Sequence, residues 1–73
     1  RFAAGDLLAA ERLAQEQLRA DRNDVGSLNL MARVALQRGE AAQGLGLLRR
    51  ALRIRPFDHE ATQLLANLEE SRR

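Results

Sequence analysis

The residues best suited to chemistry are His59, the only histidine of the chain, and its neighbour Glu60. A helical zinc site of the His-Glu-x-x-His kind needs a second histidine four residues on, because those two positions share one helix face. Position 63 is Gln63, and the sequence has no cysteine that could replace the missing ligand. The sequence therefore predicts no metal site.

The other reactive residue types lack their usual companions. Gly44-Leu45-Gly46 is too short for a glycine-rich phosphate loop, since Arg49 stands where a third glycine would be needed. The serines have no histidine placed to activate them, and the adjacent carboxylates Glu69 and Glu70 point in different directions on a helix. We expect no catalytic residue, no enzyme activity and no cofactor.

Length and composition favour a single helical domain. The chain has 73 residues, 45% of them hydrophobic, and most of these are leucine or alanine, which are strong helix formers. The sequence contains no cysteine, so packing alone must stabilise the fold, and the redox compartment is undetermined. No apolar run reaches the ~18 residues of a membrane span.

Helix-breaking residues divide the chain into four helical stretches, which we predict at residues 6–21, 25–38, 41–55 and 58–71. Asn23-Asp24 separates the first pair, Gly39 the second and Pro56 the third. Because the connections are short, we expect consecutive helices to lie antiparallel in an all-α fold. Leucine and alanine recur at helical spacing in each stretch, so each helix has an apolar face.

An internal repeat is the strongest pattern in the sequence. The shift that carries Gly5 onto Gly39 also aligns Leu13 with Leu47, Leu18 with Leu52 and Asp24 with Asp58 without a gap. The length of this shift is typical of helix-hairpin repeats, whose period is ~34 residues.

The residues at the repeat positions resemble those of the tetratricopeptide repeat (TPR) family. The resemblance rests on Leu28, Met31-Ala32, Ala35, Gly39-Glu40, Gly44, Leu48, Ala51-Leu52 and Pro56. It implies a fragment of a right-handed solenoid of about four helices, with residues 1–73 as one domain. Residues 5–24 would be the second half of a repeat, 25–58 a full repeat, and 59–73 a C-terminal capping helix. Departures from the family pattern include Ala32 in place of glycine and Gln17 in place of alanine.

The resemblance also implies a binding groove lined by the first helix of each hairpin. Its predicted residues are polar apart from one leucine and carry both charge signs: Asn29, Arg33, Leu36, Gln37, Glu60, Gln63, Asn67 and Glu70. Their amides can donate to and accept from a peptide backbone, and arginine can hold a carboxylate. The sequence thus predicts a non-catalytic protein-protein interaction module or scaffold with a peptide or protein partner.

An alternative function depends on the uneven distribution of charge. The net charge is only +2, but residues 25–57 carry six arginines against Glu40 alone. Arg49, Arg50 and Arg53 lie opposite the apolar stripe of the third helix, which suits an adaptor for an anionic surface such as nucleic acid or membrane. We favour a protein partner, because no aromatic side chain is placed to stack on bases.

The first helix carries apolar residues that no other predicted helix covers. These are Phe2, Leu8 and Leu13. We expect them to contact either a preceding helix of a longer repeat array or a second copy of the chain, the latter as a two-fold homodimer.

Overall fold

The computed structural model describes residues 4–71, which form four α-helices joined by short turns. They are α1 (Ala4–Ala20), α2 (Val25–Gln37), α3 (Ala41–Ile54) and α4 (His59–Ser71), and no strand occurs in this range. Every boundary lies within two residues of its predicted position, so the expected all-α class is confirmed. None of the helices in the described range is long and apolar enough to cross a lipid bilayer.

Two aspartates at equivalent positions of the repeat begin α2 and α4. Asp24 Oδ1 accepts a hydrogen bond from the backbone N–H of Ser27 (3.4 Å), and Asp58 Oδ2 accepts one from Ala61 (2.9 Å). Each carboxylate thereby satisfies a donor of the first helical turn that has no partner inside the helix. Asp24 is thus the N-cap of α2.

Glycine ends α2 because the chain turns through a left-handed conformation there. Gly39 has a φ of +79°, which residues with a Cβ rarely adopt. Its N–H donates to the carbonyl of Leu36, while the N–H of Glu40 donates to that of Ala35 (2.9 Å). These two bonds form a Schellman motif, which closes α2 and reverses the chain into α3.

Helix α2 lies at the centre of the fold and packs against each of the other three helices. The backbone of α1, by contrast, comes close only to that of α2 within residues 4–71. The core is a cluster drawn from α2, α3 and α4, with Leu18 of α1 packed against it. Its buried members are Val25, Leu28, Ala32, Leu48, Ala51 and Ala61.

Gln17 and Ser27 form a polar pair at positions where the core has two alanines one repeat later. Ser27 is buried, and its Oγ lies 2.6 Å from the side-chain oxygen of Gln17 and 2.8 Å from Asp24 Oδ2. A hydroxyl carries one hydrogen, so it donates to one of these two oxygens. The positions equivalent to Gln17 and Ser27 one repeat later are Ala51 and Ala61, which are fully buried in the core. The α1–α2 hairpin is therefore polar at two positions where the α3–α4 hairpin is apolar.

The contact between α2 and α3 depends on the absence of a side chain at Gly44. A Cβ at this position would lie 2.8 Å from Leu36 Cδ2 and 3.1 Å from Leu36 Cγ, closer than carbon atoms normally approach. At Gly46, two residues further along α3, a Cβ would meet no atom of residues 4–71 within 4 Å. The same helix thus has one glycine that packing requires and one that it does not.

Replacing these two glycines with alanine should have opposite effects on stability. Gly46→Ala should raise the free energy of unfolding by up to ~1 kcal/mol, because alanine favours the helix and nothing obstructs its methyl group. Gly44→Ala should lower it by about 1 kcal/mol, because overpacking against Leu36 exceeds that gain. Urea unfolding monitored by circular dichroism measures both, and equal stabilisation by the two variants would contradict the assigned packing role of Gly44.

Candidate functional site

The structure brings several of the predicted groove residues together on the surface between α2 and α4. One pocket of about 290 Å³ is lined by Arg33, Leu36, Gln37 and Leu64. A second of about 310 Å³ is lined by Leu36, Gly39, Ala41, Asn67, Leu68 and Ser71. Because Leu36 lines both, we treat the two pockets as one surface and call it the α2–α4 groove.

The α2–α4 groove combines apolar side chains with amide groups beside them. Leu36 and Leu64 are half-buried and Leu68 is buried, so they provide apolar surface for a ligand side chain. Gln37 and Asn67 are exposed among them and carry both hydrogen-bond donors and acceptors. This combination suits a peptide whose side chains are apolar and whose backbone needs polar partners.

Charged residues connect α2 and α4 beside the groove. Arg33 Nη1 lies 3.4 Å from Glu60 Oε2, and both side chains are about half exposed. An exposed ion pair of this kind contributes at most ~1 kcal/mol to stability, so a ligand carboxylate could compete for Arg33. On α4, Gln63 Nε2 donates to Asn67 Oδ1 (3.2 Å), while Glu70 is exposed and lines neither pocket.

The structure corrects the prediction that Asn29 faces a ligand. Its side chain is only 2% exposed, and its Nδ2 donates to Asp58 Oδ2 (2.8 Å) at the start of α4. Asn29 Oδ1 is buried without a hydrogen-bond partner among the described residues. Asn29 therefore ties α2 to the beginning of α4 and does not belong to the groove surface.

Asp58 is the residue whose ionisation is most affected by these contacts. Its pKa lies below the usual value because the Ala61 N–H and the Asn29 amide both donate to the charged carboxylate. The guanidinium of Arg55, 3.5 Å away, lowers the pKa further, while burial acts in the opposite direction. The negative charge of Asp58 is thus stabilised in the folded chain.

Comparisons with family models, with curated proteins and with solved structures gave no match.

The residues that the sequence suggested for other chemistry are on the surface. His59 is exposed, and no group of three or more His, Cys, Asp or Glu side chains suitable for a metal ion occurs in the part of the chain that the structure describes.

Leu8 and Leu13 of α1 are 53% and 51% exposed, whereas Phe2 lies outside the described residues. The predicted self-association surface is therefore exposed at Leu8 and Leu13.

One of the arginines of α3 makes a contact that the sequence did not suggest. Arg49, Arg50 and Arg53 are all exposed, and Arg50 donates from Nη2 to the backbone carbonyl of Arg22 (3.0 Å). Around it is a second groove of about 610 Å³, whose lining residues are Gln15, Leu18, Arg19, Arg22, Met31 and Arg50. Sequence reasoning missed this groove, because its arginines come from positions far apart in the chain.

The lowered pKa of Asp58 predicts a specific loss of stability in acid. An aspartate whose folded pKa lies below the unfolded value of ~3.9 stabilises the fold above that pH, and the contribution disappears as the pH falls through the folded pKa. Asp58→Asn keeps a good helix cap but cannot titrate, so its free energy of unfolding should fall less than that of the parent chain between about pH 5 and pH 2.

Asp58→Ala provides the matched comparison, since it removes both the cap and the charge. It should be less stable than the parent chain by about 1 kcal/mol at neutral pH. Urea unfolding at a series of pH values tests both variants. Parallel pH profiles for the parent chain and Asp58→Asn would refute the role assigned to this carboxylate.

Proposed function

We propose that this chain is a TPR-like, non-catalytic protein-interaction module that binds a peptide segment in the α2–α4 groove. The observation that carries the proposal is the pair of adjoining pockets that share Leu36. A peptide side chain can enter the apolar surface formed by Leu36, Leu64 and Leu68, while Gln37 and Asn67 bond its backbone.

The repeat in the helix boundaries supports the TPR-like part of the proposal. Helix α2 spans residues 25–37 and α4 spans 59–71, so both ends are displaced by one repeat period. Helix α3 likewise ends one period after α1, at Ile54 compared with Ala20. The caps Asp24 and Asp58 follow the same period. A helix-hairpin repeat requires this agreement between sequence period and local structure.

The proposal is tested by selecting binders from a random peptide library and measuring their affinity for groove variants. Asn67→Arg places a long charged side chain in the α2–α4 groove and should weaken a selected peptide about tenfold, equivalent to ~1.4 kcal/mol. Ala66→Arg makes the same charge change at an exposed neighbouring position that lines neither pocket, and should leave the affinity within about twofold.

Three outcomes would contradict the proposal. They are a library that yields no binders, equal effects of the two variants, and binding confined to polyanions at low salt. The last would instead support the alternative of an adaptor for nucleic acid or membrane, since such contacts are strongly weakened by salt.

We further propose that the module self-associates through the exposed leucines of α1. Leu13→Ser should shift a monomer-dimer equilibrium toward monomer in sedimentation velocity, because about half of that side chain is available for burial in a contact. Phe57→Ser is the control: Phe57 is 94% exposed but lies in the turn after α3, so its replacement should not change the equilibrium. A parent chain that remains monomeric at high micromolar concentration would exclude the dimer.

A further inference from the structure

We propose that the groove between α1 and α3 is a second binding site, which takes an acidic peptide segment containing an apolar side chain. We call it the cationic groove, and it is lined by Gln15, Leu18, Arg19, Arg22, Met31 and Arg50. None of these six residues lines the α2–α4 groove. Its volume of about 610 Å³ is roughly twice that of either pocket between α2 and α4. That size is within the range of small-ligand sites and accommodates a few peptide side chains.

The groove exists because α1 and α3 both pack on α2 but not on each other within residues 4–71. Leu18 of α1 and Met31 of α2 are half-buried and give the groove apolar surface. Methionine is flexible and polarisable, so Met31 can adapt to ligand side chains of different shape. An apolar residue of a ligand therefore has a place to bind.

The charge of the groove determines the class of ligand. Among the described residues, three arginines and no carboxylate line the groove. Over the described residues, the ion pairs are Arg33 with Glu60, Arg38 with Glu11, and Arg55 with Asp58, so the arginines of the cationic groove have no carboxylate partner. Like charges brought together repel, and an anionic ligand relieves that repulsion.

Arg50 is already held in position for such a ligand. Its Nη2 donates to the Arg22 carbonyl across the gap between α3 and the turn after α1. A guanidinium has five N–H donors, and this bond uses one of them. Because part of the side chain's motion is already restricted, binding a carboxylate would require less further ordering.

Stabilisation of α1 explains only part of this cluster. Arg19 lies in the last turn of α1 and Arg22 follows its end, where cations interact favourably with the helix dipole. Arg50 comes from α3, and its guanidinium bonds the Arg22 carbonyl close to the same end. Stabilisation of a helix end does not involve the apolar side chains of Leu18 and Met31 that lie among these arginines, whereas an acidic ligand with an apolar side chain would contact both.

An acidic peptide fits the cationic groove better than nucleic acid does. Over residues 4–71, no aromatic side chain lines the groove, so this part of the chain offers bases nothing to stack on. Leu18 and Met31 match an aliphatic side chain, and arginine pairs bidentately with the carboxylates of aspartate and glutamate.

The test uses a fluorescein-labelled peptide in which one leucine is flanked on both sides by glutamates, titrated with the full chain at about 150 mM salt. Fluorescence anisotropy should report saturable binding. Arg50→Gln should weaken it about tenfold, as expected for loss of one charge-assisted contact worth ~1.4 kcal/mol. Arg53→Gln makes the same charge change on the same helix outside the groove and should alter the affinity less than about twofold.

Arg22→Gln keeps the proposal testable if Arg50→Gln does not fold. Within the described chain, Arg22 accepts the hydrogen bond of Arg50 through its backbone carbonyl. Its side chain can therefore be changed without loss of this bond. It should weaken the peptide to a similar extent, and Asn67→Arg, in the α2–α4 groove, should have no effect. Peptide binding at each of the two sites can thus be confirmed or refuted independently of the other.

Changes in the probe complete the experiment. Replacing its leucine with serine should weaken binding, and replacing its glutamates with glutamine should abolish it. The methyl resonance of Met31, the only methionine of the sequence, should shift on addition of the parent peptide. No saturable binding, equal losses for Arg50→Gln and Arg53→Gln, or tighter binding of an oligothymidylate than of the peptide would each overturn the proposal.

Discussion

The burial of α2 on three sides is the constraint on which the rest of this structure depends. Leu28 and Ala32 have no exposed surface, because α1, α3 and α4 all pack on the helix that carries them. A helix covered in this way must present small residues wherever a neighbour comes close, and Gly44 on α3 meets the same requirement from the other side. Both candidate binding surfaces follow from this arrangement: the cationic groove is the gap between α1 and α3 over α2, and the α2–α4 groove lies where α4 packs on α2.

The helices could be predicted from the sequence because their signals are local. Asp24 and Asp58 cap the helices that follow them, and Gly39 supplies the left-handed residue that closes α2. Each signal acts within one turn of the chain, so it can be recognised without knowledge of the tertiary structure. The repeat period adds the order in which the helices occur, although it does not determine how they pack.

The functional surfaces were only partly predictable, because they depend on contacts between distant residues. Arg33, Leu36 and Gln37, which the family resemblance placed on a binding surface, line one pocket. Asn29 occupies the same helix and carries the same kind of amide as Gln37, yet it is buried against Asp58. Helical spacing alone does not show which of these two amides is buried and which lines the pocket. The position of Arg50 beside Arg22 is likewise a result of how α3 packs across the chain.

The buried hydroxyl of Ser27 donates a hydrogen bond to Gln17 or to Asp24. This contact helps to determine which helices pair during folding. A chain built from two similar helix hairpins risks mispairing, in which α1 occupies the place of α3. In that arrangement Gln17 would replace the fully buried Ala51 beside Ala61, where its amide has too little room and no hydroxyl to bond. Leaving a buried polar group unbonded costs ~1 to 3 kcal/mol, a large share of the stability of so small a domain. One polar contact thus makes the two interfaces non-interchangeable and selects a single alignment of the halves.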